Sequence, residues 1–257
     1  MSKKEKIVNY YYYDEIINYL EKSYNDYNFD NSLRETYIKE FLTKYIRIVK
    51  SIKLLDLNGF HHECDILIRS LDEMIIDLGY LELNPDDNYI RYDLFVNYQL
   101  YDLIKEKCEF ENTDINSYQD IADIKSKHDQ YEKQYNGKRS RWSGISYYNQ
   151  AEEIDNIGLK GTMKFTDMFR LIYRLNCLNS HNSGIVLDKV YKNLEINEKI
   201  DYMYLHNINY IVLLTSLLKD VCLPQVFTKT TTIFKQFDNF LGFLNLLKKL
   251  SSEIEEN

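Results

Sequence analysis

At 257 residues, with 44% hydrophobic and 28% charged side chains, the chain has the length and apolar content for one large domain. Eight glycines and two prolines, Pro85 and Pro224, are too few to punctuate a β-sandwich or barrel, so the chain reads as an all-α, single-domain helical bundle. A formal net charge of −8 excludes a general nucleic-acid coat, and any RNA contact has to come from a concentrated basic patch.

Tyrosine is abundant, at 24 residues, while alanine occurs only at Ala122 and Ala151. This skew resembles that of an A+T-rich coding sequence, in which Tyr stands where another genome would use Phe, Leu or His. Tyrosine content is therefore no argument for base stacking. The cysteines Cys64, Cys108, Cys177 and Cys222 are far apart, which argues against a disulfide framework or a thiolate zinc site. Met1 to Lys6 are charged and run into Tyr10–Tyr13, unlike a signal core, and the most apolar stretch, Ile208 to Leu218, is too short to span a bilayer. The expected location is the cytoplasm, with no membrane contact.

In chain order, residues 1–28 predict a first helix on the period of Ile7, Tyr11, Ile16, Ile17 and Leu20. Asn31 and Ser32 precede a long helix to about Leu57, with Tyr37, Phe41, Tyr45, Ile48, Ile52 and Leu55 on its apolar side. Asn58-Gly59 should end it, because glycine takes a positive φ without strain. A third helix from about Phe60 to Leu83, with Pro85 just past it, should pair with the second as an antiparallel hairpin. A fourth covers about Asn88 to Lys107. Ser117 with Asp120 resembles a capping box opening a highly charged helix, read as a solvated strut, that ends at Asn136-Gly137. After the basic loop 138–144, a short helix runs from Ser146 to about Asp155. Thr162 is expected to cap a strongly patterned helix to about Ser180. Two or three helices, divided by Pro224, complete a single domain over 1–257, the last part being a helical extension over about 198–255.

The segment Arg170 to His181 carries the most suggestive pattern. At about 100° per residue, Arg170, Arg174, Cys177 and His181 share one side of a helix, and Phe165, Met168, Phe169, Ile172 and Leu175 lie opposite. Two arginines in line with a histidine suit an anionic phosphate and a proton transfer near neutral pH. The same pattern also describes a solvated basic face whose terminal histidine complements the helix dipole. Arg69 and Glu73, one turn apart amid Ile66, Leu67, Ile68 and Leu71, form either a structural ion pair or a ligand clamp in which Glu73 orients Arg69 toward a phosphate. The loop Lys138-Arg139-Ser140-Arg141-Trp142-Ser143-Gly144 offers basic groups and the only Trp. That indole either stacks a base or anchors the loop to the core. His61 with Asp65 reads as helix capping rather than a metal site, because no third ligand accompanies them. No metal or cofactor is expected. The chain has no phosphate-cradling glycine loop, no His-Glu-x-x-His zinc motif and no Gly-x-Ser-x-Gly elbow.

Six residues separate Arg174 from His181, a spacing that resembles the Arg-x(4–6)-His signature of HEPN domains. Those are helical bundles, many of them metal-independent endoribonucleases whose site forms across a dimer. The pattern departs from that family at Leu175, where a polar residue is usual, and at Ser183, where tyrosine-modified HEPN toxins carry Tyr. A second resemblance rests on Arg69-Ser70-Leu71-Asp72-Glu73, Gly79, Asn84-Pro85, Trp142-Ser143-Gly144 and Ser180-His181. This order is similar to that of an uncharacterised bacterial helical family over about residues 35–185, a resemblance that implies a helical fold and no particular activity. The HEPN resemblance implies an endoribonuclease, a toxin or phage-defence effector, with Arg174 and His181 catalytic and a homodimer as the active form. RNA would be held by Arg170, Arg69, Glu73, Lys138, Arg139, Arg141 and Trp142. The alternative from another class is a non-catalytic helical module that binds a protein partner.

Overall fold

A computed structural model describes residues 3–135, 141–157, 164–169, 207–208 and 210–227 of the chain. Every regular element among the described residues is helical. The order is α1 (Lys3–Asp26), α2 (Leu33–Leu57), α3 (His61–Leu81), α4 (Pro85–Glu111), a 3₁₀ turn (Ile115–Ser117), α5 (Ile121–Tyr135), α6 (Tyr147–Asn156) and α7 (Phe165–Met168). Residues 210–217 are also helical and pass into a π-helical turn, Leu218–Cys222. No described helix is long and apolar enough to cross a membrane.

The connections follow from local chemistry. The Ser32 hydroxyl accepts a hydrogen bond from the Glu35 amide at 3.2 Å, which satisfies one of the free donors opening α2. At the other end, Gly59 takes φ 86°, the Phe60 amide reaches the Leu55 carbonyl at 3.0 Å, and the Gly59 amide reaches Asp56 at 3.1 Å. This Schellman closure turns the chain straight back, so α2 and α3 pack as the expected hairpin.

Pro85 serves differently from the sequence expectation. It opens α4, where its missing N–H costs nothing, instead of merely trailing α3. Helix α4 then runs past Lys107 to Glu111 and ends on Asn112 in the left-handed region at φ 53°. Ser117 is no capping residue for α5. Its hydroxyl donates to the Asp114 carbonyl at 2.7 Å within the 3₁₀ turn, and α5 begins at Ile121 after Asp120, which sits at φ 61°.

Helix α2 is central and touches α1, α3 and α4, while α3 carries α6 and the π-helical turn. The core joins Ile16 and Leu20 of α1, Ile38, Leu42, Val49 and Ile52 of α2, Ile68, Leu71, Ile75 and Leu78 of α3, and Ile211 and Leu214, all at most 1% exposed. Each such aliphatic side chain contributes roughly 1.5–3 kcal/mol through its removal from water. Of the expected apolar line of α2, Tyr37, Tyr45 and Ile52 are buried, and Ile38, Leu42, Ile46 and Val49 join them. Phe41, Ile48 and Leu55 are only partly buried and pack at the margin of the core. Helix α5 buries only Tyr131 and lies along α4, close to the strut read from its charges.

The tyrosines have a role beyond filling space. Tyr13 donates to Asp56 at 2.7 Å, Tyr27 to Glu35 at 3.2 Å, Tyr37 to Asp93 at 2.8 Å and Tyr89 to Glu82 at 2.7 Å. Asp56, 1% exposed, also accepts from Asn207 at 2.8 Å, which pins the chain near residue 207 to α1 and α2. Arg34 forks onto both oxygens of Glu82, at 3.1 and 2.6 Å. An acidic chain thus satisfies many of its inward carboxylates with phenol donors as well as cations, a service that phenylalanine cannot perform.

Candidate functional site

Spacing by four along α3 puts Arg69, Glu73 and Asp77 on one face of the helix. Arg69 Nε reaches Glu73 Oε1 at 3.1 Å, with the two side chains 28% and 29% exposed. The pair is therefore half-buried, as the apolar flanking sequence implies.

One turn further on, Asp77 is the hub of the face. Its Oδ1 accepts from Trp142 Nε1 at 2.8 Å and from Gln150 Nε2 at 3.3 Å, and its Oδ2 accepts from Tyr147 at 3.4 Å. Burial pushes the Asp77 carboxyl up to about 6, while the Trp142 and Gln150 donors and the nearby Arg141 charge pull the other way. A carboxylic acid poised there exchanges a proton close to neutral pH. The Arg141 guanidinium carbon sits over the Tyr147 ring, 3.4 Å from its centroid. Burial, with Asp77 and Glu73 nearby, drives the Tyr147 phenol far upward, so it stays a donor.

The Trp-Ser-Gly sequence is a docking device. Trp142 is 3% exposed, edge-on to Tyr92 at 5.4 Å and tilted against Tyr80 at 5.5 Å. Of the two roles open to it in the sequence, it takes that of anchor, with its ring committed to the core. The Ser143 carbonyl accepts from Arg91 Nη2 at 2.6 Å, and Gly144 turns the chain at φ 75°. Ser146 then caps α6, its hydroxyl accepting from the Asn149 amide at 3.2 Å.

Helix α7 reaches the same place. Asp155 of α6 accepts from the Phe165 amide at 2.7 Å, the Thr166 amide at 3.0 Å and the Thr166 hydroxyl at 2.7 Å, and so satisfies free donors opening α7, while Thr162, the expected cap, lies outside the described residues. Gly79 of α3 makes the convergence possible. A Cβ there would meet Ile154 at 3.0 Å, Phe165 at 3.5 Å and Cys222 at 3.5 Å. Phe169 packs against Tyr148 of α6, with ring centroids 6.0 Å apart.

Of the residues singled out in the sequence, Arg69, Glu73, Arg141 and Trp142 are thus gathered where α3 meets the loop and α6. Lys138, Arg139, Arg170, Arg174 and His181 lie outside the described residues. Sequence reasoning missed Asp77, Arg91 and Asp155. The signal for Asp77 was present in the four-residue step from Arg69 through Glu73, whereas Arg91 and Asp155 act on partners 52 and 10 or 11 positions away and leave no local pattern.

A family model described as a family of unknown function (DUF5677) matches residues 35–200, a span that runs from α2 through α7. No curated protein and no solved structure matches the chain.

Proposed function

The chain belongs to this family of unknown function, and on the resemblance of its Arg174–His181 spacing to HEPN domains we propose that it is a metal-independent endoribonuclease. The observation that supports this reading is a convergence. Phe165 and Phe169 pack at the junction of α3 and α6, and Arg170 follows directly in sequence, opening the line of Arg170, Arg174 and His181. The same junction carries Arg69, Glu73, Asp77 and Arg141.

In the proposed reaction His181 accepts the proton of a ribose 2′-hydroxyl, whose oxygen attacks the adjacent phosphorus. The P–O5′ bond breaks, the 5′-oxygen leaves with a proton, and a 2′,3′-cyclic phosphate remains. Arg174 stabilises the charge that develops on the phosphate oxygens. Arg170 and the basic groups of loop 138–141 hold flanking phosphates. One Arg–His pair is a sparse active site, so a symmetric homodimer that supplies a second histidine as the acid is part of the proposal. A role as toxin or phage-defence effector goes with it, on the HEPN resemblance. Incubation of a mixed RNA pool with the full chain in EDTA tests the reading: cleavage that His181→Ala abolishes supports it.

A second reading, a non-catalytic module for a protein partner, is favoured by a separate observation. The net charge is −8, and α4 presents Phe110 at 89% and Leu103 at 63% exposure. A pull-down that captures a defined partner through α4, from a chain with no RNA cleavage, would favour this alternative.

A further inference from the structure

We propose that His128, Asp129 and Glu132 of α5 form a binding site for a divalent transition-metal ion, backed by Asp102 of α4. The sequence offers no such expectation, because the ligands are hidden in a helix read as a charged strut. Their candidate ligand atoms all lie within 4.8 Å of one another.

Three features distinguish this group from an ordinary charged surface. First, the imidazole is held in place. It stacks on Tyr98 at 4.9 Å with planes 11° apart and leans on Tyr101 at 4.6 Å, leaving only 12% of the side chain exposed. Second, its two nitrogens face carboxylates on two different helices. Nδ1 lies 3.0 Å from Asp129 Oδ1 on α5, and Nε2 lies 3.5 Å from Asp102 Oδ1 on α4. An outer carboxylate on the nitrogen opposite the metal is the usual device for fixing the tautomer and orientation of a ligating histidine. Third, Nδ1 and Asp129 Oδ1 are hydrogen-bonded at 3.0 Å, a separation that an octahedral ion with bonds of about 2.1 Å could span as a ligand edge with little movement of either group.

Glu132, one turn beyond His128 and exposed, closes the third position by a side-chain rotation, and water completes the shell. One imidazole with two carboxylates suits zinc, cobalt or manganese better than magnesium, which prefers oxygen and its own water. A bound ion would tie α5 to α4 through Asp102. This site lies on other helices than the α3 face and has no part in the proposed cleavage.

The test is equilibrium dialysis of the full chain against Zn²⁺, with His128→Gln, Asp129→Asn and Glu132→Gln beside it. The expected result is one fewer equivalent bound by His128→Gln, at least tenfold weaker binding at that site in Glu132→Gln, and no displacement by equal Mg²⁺. Glu132 is exposed, so its substitution leaves the fold intact. Hydrogen exchange should slow in α4 and α5 of the wild type when Zn²⁺ is added. Equal stoichiometry and affinity in all four proteins would overturn the site. RNA cleavage in EDTA is read separately, so failure of either proposal leaves the other standing.

Discussion

The Trp142 indole N–H donates to Asp77 Oδ1 at 2.8 Å, and this bond joins residues 65 positions apart in sequence. It fixes the loop that carries Arg141 to the C-terminal part of α3 and brings Tyr147 and Gln150 onto the same carboxylate. The loop is built around a partly buried acid, with the indole as its bolt and the Arg91 contact to the Ser143 carbonyl as a second fastening.

Removal of the acceptor should cost more than removal of the charge. Asp77→Ala leaves the Trp142 N–H buried without its acceptor, at a cost of about 1–3 kcal/mol. Asp77→Asn keeps an amide oxygen for the indole and should be far milder. Denaturant unfolding of the two variants measures the difference.

Asp77 should also leave a mark on the pH dependence of stability. Its carboxyl is raised by burial from 3.8 to about 6, so the folded chain holds the proton more tightly than the unfolded chain does. Between about pH 4 and pH 6 this group makes stability fall as pH rises, and its contribution is level above that window. In Asp77→Asn this component of the slope should vanish. Unfolding midpoints across pH 4–7, compared as the difference between wild type and variant, isolate it.

Gly79 is predicted to tolerate no branched side chain. Alanine gains about 1 kcal/mol of helix propensity over glycine, which offsets part of the crowding against Ile154 at 3.0 Å. Valine adds further atoms toward Phe165 and Cys222, and overpacking of this kind costs about 1–3 kcal/mol or more. Gly79→Val should therefore lower the unfolding midpoint clearly, with Gly79→Ala near wild type.

Arg69 and Glu73 separate stability from function. A half-exposed pair of this kind contributes about 1 kcal/mol at most, so Arg69→Ala and Glu73→Gln should unfold close to the wild type. If the pair holds RNA, both variants should lose RNA affinity, read by filter binding, by a factor of ten or more. Unchanged affinity would assign the pair to structure alone.

Much of the fold was legible because it is written in local signals. Ser32, Asn58-Gly59 and Ser146 each act on residues within a few positions, so the limits of α2, the start of α6 and the α2–α3 hairpin follow from the sequence. What was hidden depends on distant partners. The Tyr13–Asp56 and Tyr37–Asp93 bonds join different helices, and no periodicity reveals a phenol that meets a carboxylate. The Arg69–Glu73 pair was visible for its spacing, whereas Asp77 gains its meaning only when Trp142, Tyr147 and Gln150 arrive on it.

The most direct measurement is cleavage of a mixed RNA pool by the full chain in EDTA, with the ends of the fragments identified. Arg174→Ala and His181→Ala, each shown to unfold like the wild type, are run alongside. The account predicts fragments ending in 2′,3′-cyclic phosphate or 3′-phosphate from the wild type and intact RNA from both variants. RNA left whole by the wild type, or cut equally well by the variants, would contradict it.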